Sequence, residues 1–262
     1  MQILGVIAGS GLYELPGLRM LREARVKTPY GEPSATYLVG ELSGIEIAFL
    51  PRHGSPHNIP PAQVNYRANI WGFKELGAER IISVNATGGI NPSLEPGDIV
   101  ITSQVIDMTQ GAREDTYFDR DEVVHVDFTD PYCPELRQSL TRAAAGASIE
   151  VRDGGTYVCV NGPRLESRAE IEFFGKIGGD VVGMTAMPEA SLARELELCM
   201  ACISVVTNHA AGVSHKRLTT TEVVEVMKSA TGRLKTLLGE AIPLVPPKRA
   251  CPCKDSLKDA RM

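Results

Sequence analysis

The sequence has no apolar run approaching the roughly 20 residues that a bilayer-spanning helix requires. Its opening residues, Met1-Gln2-Ile3-Leu4-Gly5, lack the basic segment of a secretory signal. The expectation is a protein without a membrane span, placed in the cytoplasm by default. Excess basic charge is also missing: 27 Lys and Arg against 32 Asp and Glu give a formal net charge of -5. The electrostatic footprint for nucleic acid or an anionic membrane surface is therefore lacking. The glycine-containing turns match neither the dinucleotide fingerprint, the Walker loop nor the G-x-S-x-G elbow, so NAD, ATP and serine-hydrolase chemistry have no support. No Asp or Glu stands in ligand spacing to His53 and His57, and no metal is expected there. No internal repeat occurs, which sets aside solenoids and arrays.

What is present describes an ordinary globular chain of 262 residues, 43% hydrophobic and 23% charged. That length sits near the upper limit for one domain. Strand-like runs alternate with helical patterns, which predicts an α/β fold with a mixed central β-sheet flanked by helices. The domain is expected over residues 1–245, closed by Pro243-Leu244-Val245-Pro246-Pro247. Residues 246–262, with Cys251-Pro252-Cys253, read as a mobile tail.

Three strand ends between Asn161 and Gly212 carry residues suited to one small ligand. Thr156–Val160 runs into Asn161-Gly162-Pro163-Arg164-Leu165-Glu166, and Asp180-Val181-Val182 runs into Gly183-Met184-Thr185. Val205-Val206 ends in Thr207-Asn208-His209-Ala210. In open α/β sheets the ligand crevice lies outside the carboxyl ends of strands, so these residues are candidates to share a pocket.

Three further segments suit an anion. Ile3–Ala8 is an apolar strand ending in Gly9-Ser10-Gly11, where backbone N–H groups and a hydroxyl could approach a phosphate. Ile45–Leu50 runs into Arg52-His53, a guanidinium and an imidazole side by side. The strand Arg80–Val84 is expected to end in a small-residue turn beginning Asn85-Ala86-Thr87. A helix is expected from Pro61 to Leu76 and a last one from about Thr221 to Leu238. The irregular stretch 107–132, which contains His125, is long enough to be functional or an interface element.

In this order, Ile7–Leu12, Pro51-Arg52-His53-Gly54, Asn65–Asn69, Asn85–Pro92, Gly97-Asp98-Ile99, Asn161–Arg164, Gly183-Met184-Thr185 and Pro188-Glu189 resemble the trimeric purine nucleoside phosphorylase and methylthioadenosine phosphorylase family. The resemblance covers the chain up to about residue 240. It implies a homotrimer that carries out reversible phosphorolysis of a purine ribonucleoside, with inorganic phosphate as co-substrate and neither metal nor organic cofactor. Carried over, the phosphate site is Ser10, Arg52, His53, Asn85 with the Ala86 amide, and Thr185. Met184 lies against the ribose. Glu166 and Asn208 hold the base, with His209 and Ala210 beside them, and His53, Glu166 and Asn208 are the catalytic set. His125 falls where a neighbouring subunit supplies a histidine near the 5′ group. Thr220, with Leu218 nearby, takes the position at which nucleoside phosphorylases place a histidine on the 5′-hydroxyl, so a 5′-methylthio group stays open.

Glu166 as carboxylate accepts from N1–H of a 6-oxopurine and repels the N1 lone pair of adenine, while the Asn208 amide donates to O6 or N7. Both point to inosine, guanosine or methylthioinosine over their 6-amino counterparts, a preference that can reach roughly 10⁴-fold in a site built on such hydrogen bonds. A methylthioadenosine phosphorylase is the alternative within the family; a phosphate-independent nucleosidase and a non-catalytic nucleoside-binding protein are the readings outside it. Six cysteines are many for a cytoplasmic enzyme outside the disulfide-rich thermophiles. Some archaeal members of the resembling family have a similar C-x-C element, and a disulfide from Cys133 to Cys199 or Cys202 is expected. Zinc is set aside because only one close cysteine pair is seen.

Overall fold

The computed structural model describes residues 3–9, 17–120, 122–214 and 219–262. Among these residues eleven strands form one mixed sheet. β1 (Ile3–Ala8) is buried along its whole length, as an uninterrupted apolar run demands when both faces of a sheet are covered. It lies between β4 (Ile45–Pro51) and β5 (Ala78–Gly89), parallel to both. β2 (Arg19–Ala24) and β3 (Tyr37–Leu42) extend that edge antiparallel.

β5 organises the other side. β11 (Cys199–His209) runs parallel along it from Arg80 to Gly89. On its opposite edge β1 pairs only as far as Ser83, and β10 (Val181–Gly183) pairs only with Gly88 and Gly89. Among the described residues, Val84–Thr87 have no strand partner on that edge, and the sheet opens there. β9 (Thr156–Cys159) and β7 (Gln104–Asp107) continue beyond β10, while β6 (Ile99–Ile101) and β8 (Arg152–Asp153) lie beyond β11.

Among the described residues five helices flank the sheet: α1 (Tyr66–Glu75), α2 (Pro134–Gly146), α3 (Arg168–Lys176), α4 (Ala186–Glu195) and α5 (Thr220–Ala241). Local chemistry sets their starts. The Asn65 side chain accepts from the Ala68 amide, and Ser167 and Glu170 form a reciprocal capping box. α2 begins with Pro134 in its first turn. α2 and α5 pack on one face over Leu136, Leu140, Leu234 and Leu237, whereas α1 and α4 meet the apolar cluster of Ile70, Phe73, Ala190 and Leu192.

Four expectations need correction. The segment after Val84 is strand, because β11 and then β10 supply partners for the small residues Asn85–Gly89. The first helix starts at Tyr66, since Asn65 is its cap and Pro61–Gln63 form a separate 3-10 turn. The C-terminal segment is packed: Cys251 and Cys253 are 4% and 2% exposed and belong to the main apolar cluster. The Ala250 amide donates to Glu135, and Arg249 pairs with Glu79. Finally, all six cysteines are free thiols. Cys202 faces Asn85 and Ser204, whereas Cys133, Cys199, Cys251 and Cys253 gather in one place. The second close pair, missing from the linear sequence, is supplied by the fold.

Candidate active site

A cavity of about 390 Å³ opens where β5 lacks its strand partner. The carboxyl ends of parallel strands converge on it: Gly9 after β1, Arg52 and His53 after β4, Ala86–Gly88 on β5, and Thr207-Asn208 on β11. Val182 and Gly183 of β10, Met184-Thr185 after it, Leu165-Glu166 before α3, and Val223 of α5 complete the wall with the loop His57–Pro61. Its volume lies within the range of small-molecule sites.

Arg52 is the most constrained group. Its side chain is 1% exposed and forms an ion pair with fully buried Glu189, Nε to Oε1 at 2.5 Å and Nη2 to Oε2 at 3.1 Å. Nη2 also donates to Ser83 Oγ at 2.6 Å and Nη1 to the Val84 carbonyl at 3.2 Å. Among the described residues, four of five N–H donors are thus committed, and one on Nη1 is left. Gly9 is required beside it, because a Cβ there would come within 2.5 Å of the Val84 oxygen and 3.1 Å of Arg52 Nη1.

His53 Nδ1 lies 2.9 Å from the Ile59 carbonyl. A carbonyl only accepts, so Nδ1 carries the proton. Desolvation, aided by the Arg52 charge, pushes the imidazole down to about 4. His53 is therefore neutral at neutral pH, with an accepting lone pair on Nε2. Thr185 donates its hydroxyl to Asn85 Oδ1 at 2.7 Å, which turns the Thr185 lone pairs outward. Asn85 itself does not line the cavity. Its amide is held by Ser83 and Cys202 behind the wall, so it positions Thr185 rather than meeting a ligand.

The opposite wall is looser. Asn208 Oδ1 accepts from Thr207 Oγ1 at 2.9 Å and Nδ2 donates to the His209 carbonyl at 2.9 Å, which leaves one amide hydrogen uncommitted among the described residues. Glu166 lies half-buried, and desolvation raises its carboxyl above the ordinary value. Gly162, at φ +63°, stands so close to Met184 that a Cβ would fall 2.3 Å from Sδ.

The remaining expected residues divide. Arg52, His53, Ala86, Glu166, Met184, Thr185 and Asn208 share the cavity wall. His209 turns away toward Glu95, its Nε2 3.2 Å from the carboxylate, and Ala210 is buried in a small apolar cluster with Ile90 and Phe174. A register shift between Val206 and Asn208 lets both Thr207 and Asn208 line the cavity, whereas His209, the last residue of β11, leaves by the other face. His125 is apart from its own chain's cavity, in a surface cleft with Gln104, Arg137 and Ala260. Ser10, Leu218 and the side chain of Thr220 lie outside the described residues; the Thr220 backbone opens α5.

Two residues escaped the sequence reading. Glu189 was part of a recognised motif without a role, and only its position against Arg52 reveals one. Arg113, from the irregular stretch, donates to the carbonyls of Met184 at 2.8 Å, Met187 at 2.5 Å, and Val160 and Asn161 at 3.3 Å each. It ties two of the pocket segments together, and nothing in its linear context signals this.

The family model of the phosphorylase superfamily matches residues 3–243. A 6-oxopurine nucleoside phosphorylase of Pyrococcus furiosus is 51% identical, with 98% of each chain covered. A probable S-methyl-5'-thioinosine phosphorylase of Thermodesulfovibrio yellowstonii is 50% identical over 98% of this chain and 96% of its own. Among solved structures, methylthioadenosine phosphorylase from Schistosoma mansoni in complex with adenine superposes with a TM-score of 0.94 at 32% identity, covering 100% of this chain and 99% of that one.

Proposed function

The chain belongs to the phosphorylase superfamily, and from that membership we propose that it catalyses the reversible phosphorolysis of 6-oxopurine ribonucleosides to free base and ribose 1-phosphate. One observation carries the reading: anion-binding groups and the pair Glu166 and Asn208 face a single cavity.

Phosphate is the nucleophile. It takes the spare Nη1 hydrogen of Arg52 and the backbone donors around Ala86, while neutral His53 Nε2 and the Thr185 oxygen accept from its P–OH groups. Since Glu189 offsets the Arg52 charge, the phosphate keeps its own negative charge close to the sugar. That charge stabilises the ribosyl cation that develops as the C1′–N9 bond breaks. Met184 packs on the ribose. At the leaving purine, Glu166 accepts from N1–H and the free Asn208 amide hydrogen meets N7 or O6 as negative charge builds. No covalent enzyme intermediate and no organic cofactor are needed.

A second specificity is favoured by Val223. The resemblance puts the 5′ end of the nucleoside at the start of α5, and the side chain this helix brings to the wall is aliphatic. A 5′-methylthio group suits it, which makes methylthioinosine a substrate of the same reaction. The reading also takes the active unit to be a cytoplasmic homotrimer in which the partner subunit's His125 closes the 5′ side; His125 lies outside its own chain's cavity. A fully active monomer in sedimentation would refute that part.

The deciding assay follows base release from inosine and methylthioinosine with and without phosphate. Phosphate-dependent release with formation of the sugar 1-phosphate is expected. Release without phosphate would make the protein a nucleosidase, and binding without cleavage would leave only a nucleoside-binding protein.

A further inference from the structure

Four cysteines outside the cavity meet at one point. Cys133 is the cap residue of α2, Cys199 opens β11, and Cys251 and Cys253 flank Pro252 in the C-terminal segment. Their Sγ atoms all lie within 4.8 Å of one another, and their exposures are 0%, 0%, 4% and 2%. The Cys199 and Cys251 sulfurs are 3.3 Å apart. Four thiolates at about 2.3 Å around one zinc ion stand roughly 3.8 Å from each other. The cluster already has nearly that spacing.

Each thiol is fixed by contacts that do not involve sulfur. The Cys133 amide donates to the Met200 carbonyl at 2.7 Å, which locks the start of α2 to β11. The C-terminal pair is anchored on both sides, by Ala250 N to Glu135 at 2.8 Å and by Ser256 Oγ to the Arg194 carbonyl at 2.6 Å. The donors are therefore held in place as a ligand set must be. The N-terminus of α2 and Arg194, which lines the same cleft as Cys253, supply positive potential for a centre of net negative charge. The other two cysteines contrast with these. Cys159 and Cys202 are also buried, yet their neighbours are the Met187 backbone, Asn85 and Ser204.

We propose that Cys133, Cys199, Cys251 and Cys253 form a structural zinc site that fastens the C-terminal segment to the core. An all-thiolate set selects zinc over hard cations such as magnesium or calcium. With four protein ligands no position stays open for substrate, so the site is structural rather than catalytic. On binding, the ion displaces the four thiol protons and no electron is transferred.

Elemental analysis of protein purified without chelator from zinc-supplemented culture is expected to give about one zinc per chain. Reduced, metal-stripped protein titrated with cobalt(II) is expected to develop the intense visible bands of a tetrahedral thiolate complex, saturating at one equivalent. The double variant Cys251→Ser/Cys253→Ser should lose both signals, whereas Cys159→Ser should keep them. Two results overturn the proposal: unreduced protein two or four hydrogens lighter by intact mass, which means disulfides, or native reduced protein that neither contains zinc nor gives the cobalt bands. The cobalt titration uses the unsubstituted chain, so a variant that fails to fold does not blunt the test.

Discussion

Arg52 and Glu189 meet at side-chain exposures of 1% and 0%, whereas Glu166 sits on an irregular connection whose neighbour Leu165 is 45% exposed. The anion-facing wall is a closed network: Glu189, Arg52, Ser83, Asn85 and Thr185 each use the next as partner. On the base-facing wall, Asn208 is held by its own sequence neighbours, Thr207 and His209. In the proposed reaction phosphate is the same in every turnover, so the groups assigned to it can be fixed deep in the sheet. The base differs between substrates, and Glu166 and Asn208, the residues proposed to read it, lie where a change disturbs little else. Activity should therefore fail on one wall together with stability, and on the other wall without it.

The largest effect is expected at Glu189. Glu189→Gln leaves the Arg52 guanidinium buried without its counter-charge, and removing one partner of a buried pair costs about 3–5 kcal/mol. Chemical denaturation checks this; an unchanged midpoint would mean that the two walls are not built differently. Next comes Asn208→Asp, which replaces the donor toward the purine with an acceptor. Inosine kcat/KM is expected to fall about 10²-fold, near 2.7 kcal/mol, while adenosine changes far less and the melting temperature moves little. A parallel loss for both bases would remove Asn208 from base selection.

The pH dependence separates the walls again. The His53 imidazole is held down to about 4 from its ordinary 6.5 by desolvation, so its contribution to stability is complete above pH 6.5 and is lost as pH falls through 4. The unfolded chain takes up the proton first, and a decline of roughly 3 kcal/mol is expected across that window from this group. Urea denaturation at several pH values should show a shallower decline in His53→Gln; identical slopes would place the titration elsewhere. The smallest effect is expected for Arg113→Met, which frees the carbonyls of Met184 and Met187. A loss of about 10-fold in kcat/KM follows from misplaced side chains, measured with inosine at saturating phosphate, and a wild-type value would show that the segments hold without it.

Much of the fold could be read in advance because its signals are local. An apolar run such as Ile3–Ala8, the Ser167 to Glu170 capping box and Pro134 at the start of α2 act within a few residues. Pocket candidates at strand ends were legible for the same reason, since topology places the carboxyl ends of parallel strands together. Asn85, His209 and Ala210 do not line the cavity, because the face a side chain takes depends on register and on where the strand ends. β5 runs on to Gly89 only because β11 and β10 offer partners there.

By itself the sequence determined the α/β class, the family, and seven residues of the cavity wall: Arg52, His53, Ala86, Glu166, Met184, Thr185 and Asn208. Only the tertiary structure decided that Glu189 neutralises Arg52 from 137 residues away, that Arg113 ties the pocket segments, and that cysteines at 133, 199, 251 and 253 share one point. The reason is physical. Composition and periodicity record which face of an element is buried, but a pairing between distant side chains exists only once the sheet order and the packing of its ends bring them within a few ångströms.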